Sequence, residues 1–219
     1  MLEAFYNFHG LNQEIFLFLN RITNIGILPY FLEFISFCFN IINFAVIYIL
    51  YWIYFYIQLK KIKNFNQLQE AFWGKYNKLM EIGIIYTIFG LTFTALKFSV
   101  NFPRPFCSLP LNSFITIINL QVERCLSSFP SSHAGLAFLV TYFAWSYLNL
   151  SLKIIAIFII GLVSLARISL AMHYPADIIY GIIITAIVIV IGKQVYKIFA
   201  DNIIRSLGEF IVNAGFREN

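Results

Sequence analysis

Long apolar runs separated by short polar segments dominate the sequence. The run Phe34–Leu59 contains no Asp, Glu, Lys or Arg, and further apolar stretches lie at about 79–100, 131–149, 153–172 and 177–197. A helix of about 20 apolar residues is long enough to cross the hydrocarbon core of a bilayer. The pattern therefore predicts a bundle of five transmembrane helices.

The composition favours a membrane protein over a soluble one. Hydrophobic residues make up 60% of the 219 residues, and charged residues only 11%. Soluble domains carry about 25% charged residues, and disordered chains combine low hydrophobicity with high net charge. Both classes are therefore excluded. The predicted fold class is an all-α integral membrane protein with five to six spans.

The two ends of the chain are less apolar and predict surface segments. Residues 1–26 carry charges between short apolar groups, which predicts an interfacial helix on the outer face, with a sixth span as the alternative. No basic segment with a cleavage site is evident, so a removable signal peptide is not expected. Residues 199–219 predict a cytoplasmic amphipathic segment. Residues 27–198 then form the transmembrane domain.

The distribution of Lys and Arg predicts the orientation in the membrane. With five spans, ten of these residues fall on one side and five on the other. Because cytoplasmic loops are enriched in Lys and Arg, the richer side should be cytoplasmic. The other side then holds ionisable residues at the ends of spans, which are costly near hydrocarbon and by default mark a functional site. These residues are Lys97, Arg104, His133, Arg167, His173 and Asp177.

The first charged cluster runs from Lys97 to Pro105. Lys97 ends an apolar stretch, and Arg104 stands between Pro103 and Pro105. Proline on both sides restricts the backbone, so the guanidinium group is expected on a stiff turn. Taken alone, a cation at the end of a span is also explained as an anchor that reaches toward the interface.

The second cluster is Ser128-Phe129-Pro130-Ser131-Ser132-His133, which leads directly into an apolar stretch. Proline and serine before such a stretch predict the start of a helix. Backbone N–H groups and the positive end of the helix dipole favour an anion at this point. His133 is expected in the first turn, where a lone histidine also fits a purely structural role.

The third cluster runs from Arg167 through His173 to Asp177. Asp177 can accept a hydrogen bond from one ring nitrogen of His173, which would fix the tautomer and leave the other nitrogen free as a base or nucleophile. The alternative is a surface contact between the two side chains at a helix start, with Pro175 as the first helical residue.

Taken together, the clusters supply three cations, two histidines and one carboxylate on one side of the membrane. Fixed cations suit the negative charge of a transferring phosphoryl group, and two histidines can divide the roles of nucleophile and acid. The sequence offers no carboxylate cluster for Mg²⁺ and no paired His or Cys spacing for zinc. We therefore expect chemistry without a metal or another cofactor.

The three cysteines differ in their surroundings. Cys38 lies within an apolar run and is expected to pack there as a small apolar residue. Cys107 and Cys125 both fall in the predicted outer loop 101–130, where the compartment permits oxidation. The sequence leaves two alternatives for this pair, namely a disulfide or two free thiols.

The three clusters resemble the signatures of the type 2 phosphatidic acid phosphatase (PAP2) superfamily. The matching residues are Lys97-x6-Arg104-Pro105, Pro130-Ser131-Ser132-His133 and Arg167-x5-His173-x3-Asp177. Order and spacing agree in all three, and the surrounding helices extend the resemblance to about 28–198. Two positions depart from the family pattern, because Ser132 stands where glycine is usual and Ala166 stands where a serine precedes the arginine.

The resemblance implies a PAP2-type helical core and a phosphatase mechanism with named roles. His173 attacks phosphorus and forms a phosphohistidine, Asp177 orients its ring, and His133 protonates the leaving oxygen and then activates water. The cations and the start of the second motif hold the phosphate oxygens. The phosphate-binding residues implied in this way are Lys97, Arg104, Ser131, Ser132 and Arg167.

The resemblance and the position of the site favour a membrane lipid phosphate as the substrate. We predict a metal-independent phosphatase of the bacterial inner membrane that acts at the periplasmic face on lipid A, with undecaprenyl diphosphate or phosphatidylglycerophosphate as alternatives. A lipid phosphotransferase is a second class, and a channel or transporter a third. The third class predicts charges at the membrane midplane, whereas these gather at one end of the spans. No nucleic-acid partner is expected, and no oligomeric state is predicted.

Overall fold

The structure is a computed structural model that describes residues 6–216. Its helices are α1 (Leu11–Thr23), α2 (Leu28–Cys38), α3 (Ile41–Leu59), α4 (Phe65–Val100), α5 (Ser132–Ala144), α6 (Leu150–Ser169), α7 (Pro175–Phe199) and α8 (Arg205–Phe216). Shorter pieces are the one-turn helix Pro105–Ser108, the 3₁₀ turns Phe8–Gly10, Leu120–Val122 and Trp145–Tyr147, and the π-helical turn Ala200–Ile204. The described residues form no β-strand, so the predicted all-α fold is confirmed. The parts of the predicted terminal segments at 1–5 and 217–219 lie outside the described residues.

Several helices are suited to a bilayer. Among residues 6–216, four segments are long and apolar enough to cross a membrane, namely Ile41–Leu59, Phe65–Val100, Leu150–Ser169 and Pro175–Gly215. The pair α1 and α2 is bent by 112° and adds a fifth span if it counts as one broken span. Only 6% of the most apolar 18-residue stretch of α3 is buried within the protein, as expected for a helix that faces lipid. The chain is therefore a membrane protein with four or five candidate spans, against the five to six predicted.

The first predicted span is divided between two helices. α2 ends and α3 begins within the run Phe34–Leu59. The amides of Phe39 and Asn40 donate to carbonyls three residues earlier, both at 3.2 Å, which is the tight-turn pattern that closes a helix. Asparagine competes with helical hydrogen bonding, so Asn40 gives the physical reason for the break. Cys38, predicted to pack as a small apolar residue, is exposed at the end of α2.

Two other spans differ in length from the prediction. α4 already begins at Phe65, so much of the polar segment before residue 79 is helical. The stretch 131–149 forms a helix of only 13 residues, α5, which rises about 20 Å and is extended by the 3₁₀ turn Trp145–Tyr147. Asn149 then caps α6 by accepting a hydrogen bond from the Leu152 amide at 3.0 Å. This cap begins α6 between the stretches 131–149 and 153–172, which the sequence predicts as separate helices.

The described residues divide into two compact units. The first contains the chain up to Ile41 together with Leu91–Ala186, and the second contains Ile42–Gly90 together with the chain from Ile187 onward. The buried core of the first unit draws on α1, α5, α6 and the loops that flank them. Its members include Phe16, Phe106, Ala134, Ile168 and Tyr174. This core fixes the helix ends that carry the three sequence motifs.

The second unit packs α8 against the first half of α4. The Tyr76 hydroxyl donates to the carbonyl of Ile204 at 2.9 Å. A Cβ added at Gly208 would lie 2.6 Å from the ring of Trp73, so glycine is what lets α8 approach this closely. Ile204, Gly208 and Val212 are buried at a spacing of four residues, which gives this segment one buried face and one exposed face.

Candidate active site

The second motif lies at the start of α5 and against the start of α7. Ser131 is fully buried, and its amide donates to the backbone oxygen of Asp177 at 3.0 Å. A Cβ added at Gly181 would lie 2.6 Å from the Ser131 carbonyl oxygen, so glycine is required for this approach. The Ser131 hydroxyl has no hydrogen-bond partner among the described residues. Ser132 and His133 are the first two residues of α5. The second and third motifs are therefore in direct contact.

The third motif reverses the chain in a tight turn after α6. The amides of Met172 and His173 both donate to the carbonyl of Arg167, at 3.0 and 3.2 Å. Ala171, between them and α6, has a φ of 55°, in the left-handed region that non-glycine residues seldom adopt. Pro175 then begins α7, at the helical position where proline is favoured. The turn leaves His173 in a loop between two helices.

The carboxylate of Asp177 is fully buried and accepts hydrogen bonds on both oxygens. The Tyr6 hydroxyl donates to Oδ1 at 2.7 Å, while the Ser128 hydroxyl and the Tyr174 amide donate to Oδ2, the amide at 2.8 Å. His173 Nδ1 lies 3.5 Å from the same Oδ2 and has no hydrogen-bond partner within residues 6–216. The two side chains are thus neighbours, but the hydrogen bond predicted between them is not formed, and Nδ1 lies 3.5 Å from an oxygen that already accepts from Ser128 and Tyr174.

The first motif lies on a turn fixed to the outer loop. The Arg104 amide donates to the carbonyl of Cys125 at 2.8 Å, and an isolated antiparallel bridge pairs Pro103 with Leu126. A disulfide joins Cys107 to Cys125, with Cα atoms 5.6 Å apart. Of the two alternatives that the sequence left open, the structure contains the disulfide. These links hold the backbone of Arg104 in place.

The Arg104 side chain contacts both the outer loop and the third motif. Its Nη1 donates to Glu123 Oε2 and to Met172 Sδ, both at 2.9 Å. Its Nε is buried and has no partner in the described part of the chain. Because 35% of the Glu123 side chain is exposed, a phosphate entering the site can compete with this carboxylate for the guanidinium group.

Arg167 and Lys97 complete the cationic set. Arg167 is buried, its Nη1 donates to Ser36 Oγ at 2.9 Å, and its Nε has no partner among residues 6–216. Lys97 lies in the last turn of α4. Burial, with the charges of Arg167, Lys97 and Arg104, lowers the pKa of His173 well below 6.5. The buried imidazole of His173 is therefore neutral at pH 7.

His133 belongs to the same electrostatic cluster. Its imidazole interacts with the charges of the three cations named above and with His173. Since His133 is on α5 and His173 is in the loop before α7, the contact between Ser131 and Asp177 brings the two helix ends together. All six ionisable residues predicted for the site therefore lie in one cluster.

The match to a known family spans all three motifs. The sequence profile of the PAP2 superfamily matches residues 78–200, which is more than half of the chain. The chain belongs to the PAP2 superfamily. The crystal structure of Aquifex aeolicus LpxE has the same fold, with a TM-score of 0.63, 21% sequence identity, and coverage of 84% of this chain and 95% of that chain. No curated protein sequence matches this chain significantly. PAP2 membership supports a phosphatase that acts on a lipid in the bilayer.

Some residues near the PAP2 motifs have no role in the sequence-based prediction. Tyr6 and Ser36 bind side chains of the third motif, but nothing in the local sequence distinguishes them from packing residues. Ser128 is the first residue of the second sequence cluster, but the prediction gave it no role, and the structure shows that its hydroxyl binds Asp177. Glu123 carried no such signal, because its pairing depends on how the outer loop folds.

The side chains at the PAP2 motifs suit an anion. Within residues 6–216, no three His, Cys, Asp or Glu side chains are grouped closely enough to hold a metal ion. The motifs instead combine buried cations with N–H and O–H donors that lack partners in that part of the chain. Such donors stabilise negative charge on phosphate oxygens. The arrangement can therefore hold a phosphoryl group next to a neutral imidazole.

Proposed function

We propose that this PAP2 protein is a lipid phosphatase of the bacterial inner membrane that acts at the periplasmic face through a phosphohistidine. The observation that carries the proposal is the position of the His173 imidazole, which is buried 3.5 Å from the Asp177 carboxylate and within the electrostatic influence of Arg167, Lys97 and Arg104. A neutral imidazole is a nucleophile, and fixed cations stabilise phosphoryl oxygens. The compact chain and the predicted outward site resemble bacterial lipid A phosphatases and undecaprenyl diphosphate phosphatases alike, and of the two substrates we favour lipid A.

In the first half-reaction, Nε2 of His173 attacks phosphorus, since Nδ1 is the nitrogen that faces Asp177. The N–P bond forms as the bond between phosphorus and the lipid oxygen breaks. The negative charge of the bound phosphate offsets the neighbouring cations and stabilises the protonated form of His133. This imidazolium donates its proton to the departing oxygen, so the lipid alcohol leaves uncharged. The negative charge of Asp177 stabilises the positive charge that develops on the His173 ring.

In the second half-reaction, His133 takes a proton from water, and the water oxygen attacks phosphorus. The N–P bond breaks, inorganic phosphate leaves, and His173 returns to its neutral form. One residue serves first as acid and then as base, because the two steps place a lipid oxygen and a water oxygen at the same point.

The cations and the start of α5 hold the non-bridging oxygens. Arg104 and Arg167 each keep a buried Nε–H, and Ser131 a buried hydroxyl, that have no partner among residues 6–216. An unpaired buried donor costs about 1–3 kcal/mol, so a phosphate that pairs with it binds more tightly. Ser132 adds a backbone N–H at a helix start, where the dipole favours an anion. Lys97 adds a further positive charge.

A lipid substrate fits the depth of the proposed site. Lys97 and Arg167 lie in the last turns, and Asp177 in the first turn, of helices long and apolar enough to cross a membrane. A phosphate held there stays at the boundary of the hydrocarbon core, so a lipid presents its headgroup without leaving the bilayer. The proposal that this boundary is periplasmic rests on the distribution of Lys and Arg.

Phosphate release by the purified protein in detergent tests this function. The substrate panel is lipid A, undecaprenyl diphosphate, phosphatidylglycerophosphate and phosphatidic acid, with the His173→Ala variant as the blank. Preferential release of phosphate from lipid A supports the full proposal. Preferential release from another lipid changes the proposed substrate and leaves the proposed phosphatase activity standing. No release above the blank contradicts the proposal. The amounts of inorganic phosphate and of phosphorylated acceptor formed are also compared. Inorganic phosphate is the product of hydrolysis, and a phosphorylated acceptor is the product of transfer to a hydroxyl group.

We expect full activity after exhaustive treatment with EDTA. The charges of Arg167, Lys97 and Arg104 act on His173, and the same charges repel a divalent cation and supply the electrostatic stabilisation that a metal would otherwise give. Phosphate release is measured before EDTA, after EDTA and after addition of Mg²⁺. Strong inhibition that Mg²⁺ reverses would contradict the metal-independent mechanism.

The acid limb of the kcat/KM profile should lie below pH 6.5. Burial and the neighbouring cations hold the pKa of His173 well below 6.5, so the ring stays neutral and nucleophilic to lower pH than a free imidazole. Replacing Lys97 with Met removes one of these charges and should move the limb toward neutral pH. The substrate phosphate titrates near pH 6 in both proteins, so the difference between the two profiles reports on the imidazole. An unmoved limb would show that His173 does not determine it.

A further inference from the structure

The N-terminal segment, residues 6–38, lies outside the part of the chain that matches the PAP2 profile, yet its side chains bind the third motif. We propose that this segment completes the active site and that Tyr6 is a positioning residue that orients the carboxylate of Asp177. The inference extends the catalytic domain beyond the predicted start at residue 27. It rests on the roles of His173 and Asp177 in the proposed function.

The Asp177 carboxylate is held at both oxygens. The Tyr6 hydroxyl binds Oδ1, and the Ser128 hydroxyl and the Tyr174 amide bind Oδ2. A carboxylate held in this way cannot rotate without losing a donor, so Tyr6 sets the angle at which Oδ2 faces His173 Nδ1, 3.5 Å away. Burial and the charge of Asp177 raise the pKa of Tyr6 above 10, which keeps its hydroxyl a donor at neutral pH.

The Tyr6 ring is held by aromatic residues from all three motif regions. Its centroid lies 4.6 Å from that of Phe102, 6.2 Å from that of Phe129 and 6.4 Å from that of Tyr174. Phe102 lies within the first motif, Phe129 directly precedes the second, and Tyr174 lies within the third. Aromatic pairs at these separations attract one another. The position of the Tyr6 hydroxyl therefore depends on all three motifs being assembled.

Other polar side chains of the segment anchor the same loop. Asn12 Oδ1 accepts from the Ala176 amide at 2.9 Å, and Asn20 Nδ2 donates to the Ser169 carbonyl at 3.1 Å. Ser36 accepts from the buried arginine of the third motif, as described above. Asn12 and Asn20 are buried on one face of α1, where an amide without partners would be costly. These contacts tie the loop at both of its ends.

Kinetics of Tyr6→Phe test the positioning role, because this change removes the hydroxyl and keeps the ring. We expect kcat to fall about tenfold to a hundredfold with KM unchanged, since a hydrogen bond to a charged group is lost where it acts on the chemical step. Tyr30→Phe is the matched control, because Tyr30 is in the same segment and 59% exposed. A kcat for Tyr6→Phe equal to that of the control, or a change in KM alone, overturns the proposal.

A double-mutant cycle separates this inference from the proposed function. If Tyr6 acts through Asp177, adding Tyr6→Phe to Asp177→Asn causes no further loss of activity, whereas additive losses overturn the inference. If Asp177→Asn alone keeps wild-type activity, the proposed role of Asp177 has failed instead.

Hydrogen exchange gives a reading that does not need activity. Asn12→Ala should speed exchange of the Ala176 amide, because its acceptor is removed, while the exposed neighbour change Gln13→Ala should not. Equal exchange of the Ala176 amide in both variants overturns the anchoring role of the segment. This test remains available even when the Tyr6→Phe protein cannot be produced.

Discussion

The His173→Ala variant is expected to fold and to release no phosphate above background. The change removes the proposed nucleophile, and loss of such a group lowers kcat by a factor on the order of 10⁴ to 10⁶. His173 Nδ1 has no hydrogen-bond partner within residues 6–216, and the three donors to Asp177 come from other residues, so truncation leaves that network in place. Phosphate release from the preferred lipid, together with the melting temperature of the purified variant, checks this result.

His9→Asn is the matched control for that experiment. His9 is exposed, and its substitution should leave both phosphate release and the melting temperature at wild-type values. Turnover by folded His173→Ala close to that of His9→Asn would show that another group attacks phosphorus.

The Asp177→Asn variant is expected to lose activity by a factor on the order of 10⁴, as for other buried carboxylates that orient a catalytic imidazole. The amide also carries a donor where the carboxylate has an acceptor. At least one of the Tyr6, Ser128 and Tyr174 donors then faces an N–H group, which should lower the stability by about 1–3 kcal/mol. Single-turnover kinetics and a denaturation curve measure the two effects separately.

Asp201→Asn provides the control for Asp177→Asn. Asp201 is exposed in the π-helical turn and belongs to the second compact unit, whereas Asp177 belongs to the first. Its substitution should change neither rate nor stability. Folded Asp177→Asn with the turnover of Asp201→Asn would contradict an orienting role for this carboxylate.

The sequence predicted the helical membrane fold and the cluster of ionisable groups because both leave local signals. Charge-free runs report directly on burial in lipid. Arg104 between two prolines, and His173 four residues before Asp177, combine residue types and spacings that are unusual at the ends of spans. The cost of such groups near hydrocarbon is the physical reason that their positions carry information.

Helix boundaries within apolar runs were predicted less well. Hydropathy does not distinguish one long helix from two helices joined by a short turn when the turn residues are few. Asn40 marks a break inside the run Phe34–Leu59 that the prediction missed, whereas Asn149 lies at a division between 131–149 and 153–172 that the sequence predicted. Asparagine favours helix ends, so greater weight on Asn40 would have divided the first run as well.

The partners of the ionisable groups were beyond the reach of local patterns. Tyr6 and Asp177 are 171 residues apart in the chain, and Ser36 and Arg167 are 131 apart. Such pairs depend on how α1 and α2 pack against the third motif, which no spacing rule encodes. The predicted hydrogen bond between His173 and Asp177 is not formed, and the donors to the Asp177 oxygen that faces His173 are Ser128 and Tyr174.

Trapping of the phosphorylated enzyme tests the central claim most directly. The His133→Ala variant lacks both the acid of the first step and the residue that activates water. A labelled aryl phosphate with an acidic phenol needs no acid for its departure, so this variant should accumulate phosphoenzyme from that substrate. Rapid quenching in alkali, digestion and mass spectrometry are expected to locate the phosphoryl group on the peptide that contains His173, and the label should be lost on treatment with acid. A label on another residue, or turnover of lipid by this variant without any covalent phosphate, would contradict the account.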